Sequence, residues 1–187
     1  RYGGQSQSLV SLPGMQERCV ILHTFSKKFA MTGWRLGASI GPKEIIDVII
    51  KLNVNEESCS NHFVQYAAIE GLTGDQTETL QLLDTLKERR DTTVDILNGI
   101  DGVRCIRPNA TFYLWPNVTG AMKKTGLTDY NDFRQTVLEE TGVSFCTRLH
   151  FGRPLEGEDN CYIRLAYSGI DMPEITEGLA KFKNFIA

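Results

Sequence analysis

The apolar residues of this chain fall first into a short continuous run, then into helical stripes, and in the last third into alternation. The run Arg18-Cys-Val-Ile-Leu-His-Thr-Phe25 is β-branched and apolar on both faces, which predicts a buried strand over 18–25. Leu36-Gly-Ala-Ser-Ile-Gly41 predicts a second short strand. Gly41-Pro-Lys-Glu then opens a helix, with Pro42 in its first turn and Glu44 favourable to the helix dipole. Ile45, Ile46, Val48, Ile49 and Leu52 give that helix a wide apolar stripe. The polar stretch 53–61 predicts irregular structure. Phe63, Val64, Ala67, Ala68 and Leu72 predict a helix over 61–72 that stops at Gly74.

A longer helix is predicted over 75–97, where Leu80, Leu83, Leu86, Arg90, Val94 and Leu97 recur at helical spacing before Asn98-Gly99. Its charged run Lys87-Glu-Arg-Arg-Asp91 reads as a solvated face. Beyond it the pattern becomes α+β. Strands are predicted at 102–108, 110–117, 143–146 and 161–167. Helices are predicted at 129–142 and 171–186, the second with Asp171 as N-cap and Glu174 in a capping-box position. Residues 1–17 are turn-rich and read as surface loop.

Composition narrows the class. With 41% apolar and 23% charged residues, the chain is an ordinary globular sequence. A net charge of −3 argues against a nucleic-acid-binding surface or a polybasic membrane patch. No apolar run approaches the length of a membrane span. The five cysteines are far apart and form no Cys-x-x-Cys pair, so neither a zinc site nor a disulfide framework is suggested. Reduced thiols and a cytoplasmic location are expected. The first residue is Arg1, and a buried sheet strand needs neighbours on both sides. The chain is therefore expected to be the C-terminal part of a longer polypeptide.

The candidate chemistry lies just after the first strand. Lys27 follows it, at the carboxyl end where α/β sheets keep their ligands. A lysine partly desolvated there, beside another cation, is pushed toward the neutral form that attacks a carbonyl. Arg35 supplies a planar fork for a phosphate, and Thr24 and Ser26 add hydroxyls.

The run Thr24-Phe-Ser-Lys27-Lys-Phe-Ala-Met-Thr-Gly33-Trp-Arg35-Leu-Gly37 resembles the pyridoxal-phosphate lysine signature of the class I/II aminotransferases, aspartate-aminotransferase-like enzymes of fold type I. The resemblance implies an α/β fold, a pyridoxal-phosphate-dependent transferase. Residues 1–78 would form part of its large mixed-sheet domain. Residues 79–187 would form the linking helix and a small α+β domain. It implies pyridoxal 5'-phosphate as cofactor, in Schiff-base linkage to Lys27, with Thr24, Ser26 and Arg35 around it. Lys27 would also serve as general base and acid in moving an amino group between an amino acid and a 2-oxo acid. A homodimer is implied as well. The residues that the family uses on the cofactor ring would lie upstream of Arg1, so this chain alone is expected to be inactive.

A second site follows from the same resemblance. Arg164 lies in the alternating strand 161–167, and from the residues alone it reads as exposed. The family, however, carries an apolar-Arg-apolar strand whose guanidinium grips the substrate α-carboxylate. Gly142-Val-Ser-Phe-Cys and Phe151-Gly152 resemble a neighbouring family element, but Cys146-Thr-Arg-Leu replaces its Pro-Gly turn. Arg148 and Arg153 are competing cations. Asn109-Ala-Thr-Phe-Tyr113 matches another family element, and its aromatics read as packing. Ser60 and Asn61 fall where family members reach a partner's cofactor, although an N-cap is the preferred reading of Asn61. The isolated His23, His62 and His150 read as structural, and no metal constellation stands out. The alternatives are a C–S lyase or synthase of the same fold, and a non-catalytic fragment that needs a partner.

Overall fold

The computed structural model describes all of residues 1–187. They divide into two compact units, one of residues 5–81 and one of residues 1–4 with 82–187.

In the first unit, β1 (Ile21–Thr24) pairs antiparallel with β2 (Gly37–Ile40), with Ile21 opposite Ile40 and Thr24 opposite Gly37. Helices α1 (Lys43–Glu56) and α2 (His62–Thr73) follow. A small core of Phe25, Met31, Val64 and Ala68 holds the turn after β1 against α2. Gly71 lets the Phe29 ring come close, since a Cβ there would lie 3.3 Å from it. Two expectations fail in this unit. β1 is not buried, for Leu22 is 79% exposed: two strands alone cover neither face of their ribbon. α1 also runs on through Asn53 to Glu56. The helix penalty of Asn53 and Asn55 is less than about 1 kcal/mol each, and here Glu57 N–H still donates to Asn53 C=O at 2.9 Å.

The long helix α3 (Thr77–Asn98) runs into the second unit, which adds β3 (Tyr113–Leu114), α4 (Thr119–Thr125), α5 (Tyr130–Thr141), β4 (Cys146–Thr147), β5 (Ile163–Ala166) and α6 (Met172–Ile186). The strands form an antiparallel sheet in the order β3-β5-β4. Its core includes Leu97, Leu114, Phe133, Ile163, Tyr167 and Phe182. The capping box expected at Asp171 is present, and α5 has caps of its own. Asp129 Oδ1 accepts from Asn131 and Asp132 N–H at 2.7 and 3.1 Å, Gly142 closes α5 in the left-handed region, and Asp171 forms a capping box with Glu174.

The strand expectations need correction. Residues 102–108 contribute one bridge, Arg104 to Asn117. The Asn98 side chain takes both backbone groups of Cys105, at 2.8 and 3.0 Å, leaving none for a ladder. In 110–117 only Tyr113 and Leu114 are strand, because Thr111 has φ +73° and Pro116 has no N–H. The segment predicted at 143–146 is held back by a hydrogen bond from Val143 N–H to Thr141 Oγ1 at 3.1 Å, and pairing starts at Cys146. Helix α4 is an element that the periodicity does not announce.

Nor is the charged run of α3 simply solvated. Arg90 is 6% exposed; it donates to Pro108 C=O at 2.9 Å and to Asp91 at 2.8 Å, and its guanidinium lies 4.3 Å from the Tyr2 ring centre. Tyr2 Oη in turn meets Tyr167 Oη at 2.8 Å, and both lie 2.7 Å from Thr111 C=O. This network is why residues 1–4, read as surface loop, pack with the second unit.

Burial pushes the Cys105 thiol from 9.0 up to about 11. A folded-state pKa above the unfolded one contributes stability that is complete below pH 9 and lost as pH rises toward 11. Urea unfolding of the chain should therefore weaken through that window. Cys105→Ala should flatten the slope by about 2 kcal/mol across it; an unchanged slope would show that another group dominates the alkaline limb.

Candidate functional site

The hairpin of the first unit gathers four of the predicted residues at one end. Phe25 N–H donates to Leu36 C=O at 3.3 Å, one step beyond the Thr24–Gly37 pair, so the loop 26–35 opens directly from the last strand residues. Gly37 permits that close approach, since a Cβ there would lie 3.0 Å from His23 C=O. Residues 26–29 then form a turn, closed by Phe29 N–H on Phe25 C=O at 3.3 Å.

Within this frame Thr24 Oγ1 donates to Ser26 Oγ at 3.0 Å and accepts from Ser26 N–H at 3.2 Å. The Ser26 hydroxyl proton is left for another acceptor. Ser26 is buried, whereas Thr24, Lys27 and Arg35 are exposed. Arg35 sits in the left-handed region at φ 52°, ψ 51°, with one guanidinium N–H on Thr32 C=O at 3.2 Å. A cleft of about 660 Å³ opens beside it, lined by Trp34, Leu36, Asn61, Phe63 and Val64. Asn61 is the N-cap of α2 by position, but its side chain makes no capping bond.

Arg164 belongs to the second unit and is half-buried on β5. Register sets Cys146 directly opposite it and Tyr113 diagonally across, opposite Ala166. Its guanidinium carbon lies 4.3 Å from the Tyr113 ring centre and 4.7 Å from that of Phe151, and one N–H points to Cys146 Sγ at 3.6 Å. No carboxylate pairs with it, while Arg89, Arg90 and Arg148 each have one. Arg148 is thereby removed as a competing cation, being bound to Glu158 at 2.7 Å, and Arg153 is exposed. Of the two aromatics read as packing, Phe112 and Tyr113, the second lies beside the guanidinium, and Phe151 is the other ring there. The alternation of 110–117 was the available signal.

Comparison with known proteins decides the family. The profile of aminotransferase class I and II matches residues 2–182. The chain belongs to the class I and II aminotransferases. Among curated members, the asparagine–oxo-acid transaminase of Streptococcus mutans is 35% identical over 179 residues, 96% of this chain and 44% of that protein. An aspartate aminotransferase of Geobacillus stearothermophilus is 34% identical, over 89% of this chain and 42% of its own length. Among solved structures, the aspartate aminotransferase of Rhizobium meliloti superposes with a TM-score of 0.83 at 27% identity, over 94% of this chain and 43% of that one. This α/β chain therefore has part of an aspartate-aminotransferase-like fold, and spans a little under half the length of the family members it matches.

The left-handed Arg35 yields a test within this site. A non-glycine residue held there stores about 1 kcal/mol or more of backbone strain. Arg35→Gly should raise the unfolding free energy by about that amount in urea, and Arg35→Ala should not. Equal effects of the two would mean that the loop relaxes freely.

Proposed function

We propose that this chain carries the lysine-bearing part of a pyridoxal-phosphate-dependent aminotransferase that moves an amino group between an amino acid and a 2-oxo acid. The donor set at the hairpin end fits the cofactor's phosphate. It offers the uncommitted Ser26 proton, aimed by the Thr24 hydroxyl that donates to it, and the remaining N–H groups of Arg35, with Lys27 one residue past Ser26. No side chain fills the space at Gly33, where an added Cβ would meet nothing within 4 Å. When bound, pyridoxal phosphate supplies an aldehyde carbon for an amine and an electron-withdrawing ring that acidifies the substrate Cα–H.

In this reading Lys27 Nζ takes the proton from the substrate Cα and returns it, as general base and then acid. Arg35, Thr24 and Ser26 bind the phosphate and fix the position at which that proton moves. Arg164 receives the substrate α-carboxylate. The observation that carries this part is its half-buried cation without a carboxylate, with two ring centres 4.3 and 4.7 Å from its guanidinium carbon. A partly desolvated charge calls for a counter-ion, and a guanidinium fork accepts a carboxylate through two parallel hydrogen bonds. A homodimer is proposed with it, as the family resemblance implies. The exposed Trp34, Phe63, Tyr66 and Ile69 on the first unit would otherwise remain open to water.

Incubating the intact protein with pyridoxal phosphate, aspartate and 2-oxoglutarate should yield glutamate. Lys27→Ala should reduce the rate by about a thousandfold or more. With cystathionine in place of aspartate, release of homocysteine, ammonia and pyruvate by β-elimination, together with no glutamate in the aspartate assay, would replace this reading by the lyase alternative.

A further inference from the structure

The segment where this chain departs from its family's pattern is built as a staple. Cys146-Thr-Arg-Leu149 stands in place of a Pro-Gly turn, and Arg148 spans the following loop with its whole side chain. Its Nε and Nη2 donate to the two carboxylate oxygens of Glu158 at 2.7 and 3.0 Å. Nη1 donates to Gly152 C=O at 3.1 Å, and Nη2 also to Arg153 C=O at 3.3 Å. Glu158 closes the other side by accepting from Leu155 N–H at 2.9 Å. The base of the staple is tied to the strand β5, because Arg148 N–H donates to Tyr162 C=O at 2.9 Å.

The loop held this way ends its short helical turn, 148–151, on Phe151. Phe151 lies 4.7 Å from the Arg164 guanidinium and edge-on to Trp115 at 5.1 Å. Yet it is 44% exposed, so packing alone does not hold it. Gly152 beyond it has φ +113°, a conformation that glycine allows and its bond to Arg148 fixes. The staple therefore spans the glycine hinge that follows the ring beside Arg164.

We propose that the Arg148–Glu158 pair is a positioning device that keeps Phe151 on the Arg164 guanidinium and thereby sets the affinity for the substrate carboxylate. This rests on the reading of Arg164 as the carboxylate site. Neither Arg148 nor Glu158 needs to touch substrate. Both act through the Phe151 ring beside the Arg164 fork, because a cation held against two rings loses little freedom when a carboxylate arrives.

The test uses the intact protein with Glu158→Gln, Arg164→Gln, the conservative Glu158→Asp, and Arg148→Lys. Glu158→Gln should speed chymotryptic cleavage at Leu155 about tenfold, as a locally opened loop does. It should raise KM for 2-oxoglutarate about five- to tenfold, with kcat changed less than about twofold. Glu158→Asp keeps the carboxylate and should leave both nearer the parent values than Glu158→Gln does. If Glu158→Gln does not fold, Arg148→Lys, which cannot span Glu158 and the Gly152 and Arg153 carbonyls together, should show the same two rises. An unchanged KM in a folded Glu158→Gln or Arg148→Lys overturns the staple. If Arg164→Gln raises KM in the same experiment, the carboxylate reading survives that failure. If Arg164→Gln leaves KM unchanged, the carboxylate reading falls and the staple with it.

Discussion

The backbone bond from Phe25 N–H to Leu36 C=O is the point on which the first unit turns. It closes the mouth of the β1–β2 hairpin; Ser26, Lys27 and Arg35 lie in the loop between those two residues, and Thr24 just before it. Ser26 follows the donor and Arg35 precedes the acceptor. A single cross-strand contact therefore fixes where the proposed phosphate donors and Lys27 begin. The small core of Phe25, Met31, Val64 and Ala68 lies directly behind this closure, so packing and polar geometry reinforce each other there. The left-handed Arg35 is the local cost of returning the chain in time to pair Leu36.

In the second unit, three arginines show how context assigns a role to one residue type. Arg90 is buried among a neighbouring carboxylate, a carbonyl and the Tyr2 ring, and it ties the first residues of the chain to the helix α3. Arg148 is consumed by Glu158 and two loop carbonyls. Its partner's carboxyl is held below the usual range by the Leu155 N–H and then by Arg148 itself, so the pair stays ionised at neutral pH. Arg164 has rings and a thiol around it but no anion. Charge neutralised inside the fold is structural; charge left over and half-buried is suited to a ligand.

Legibility in the sequence followed the range of the interactions involved. The helices α5 and α6 could be read to within a residue or two because their caps are local: Asp129, Gly142, Asp171 and Glu174 act within one turn. The lysine loop was legible through its run of constrained positions. The strand at 102–108 was not, because the side chain of Asn98 competes for Cys105, and periodicity carries no sign of that competition. The burial of Arg90 was hidden too, since its ring partner Tyr2 lies at the opposite end of the sequence. The role of Tyr113 beside Arg164 needed the β3–β5 register, which no single stretch of sequence contains. β1 was misjudged for another reason: its apolar faces anticipate neighbouring strands that these residues do not supply.

The central claim is that Lys27 is the residue that takes the cofactor. It is tested most directly by adding pyridoxal phosphate to the intact protein, reducing with borohydride and mapping the modified peptides by mass. The account predicts one dominant pyridoxyl adduct, on Lys27, competed away by inorganic phosphate. Adducts spread over Lys28, Lys43 and other exposed lysines, with Lys27 unmarked, would contradict it.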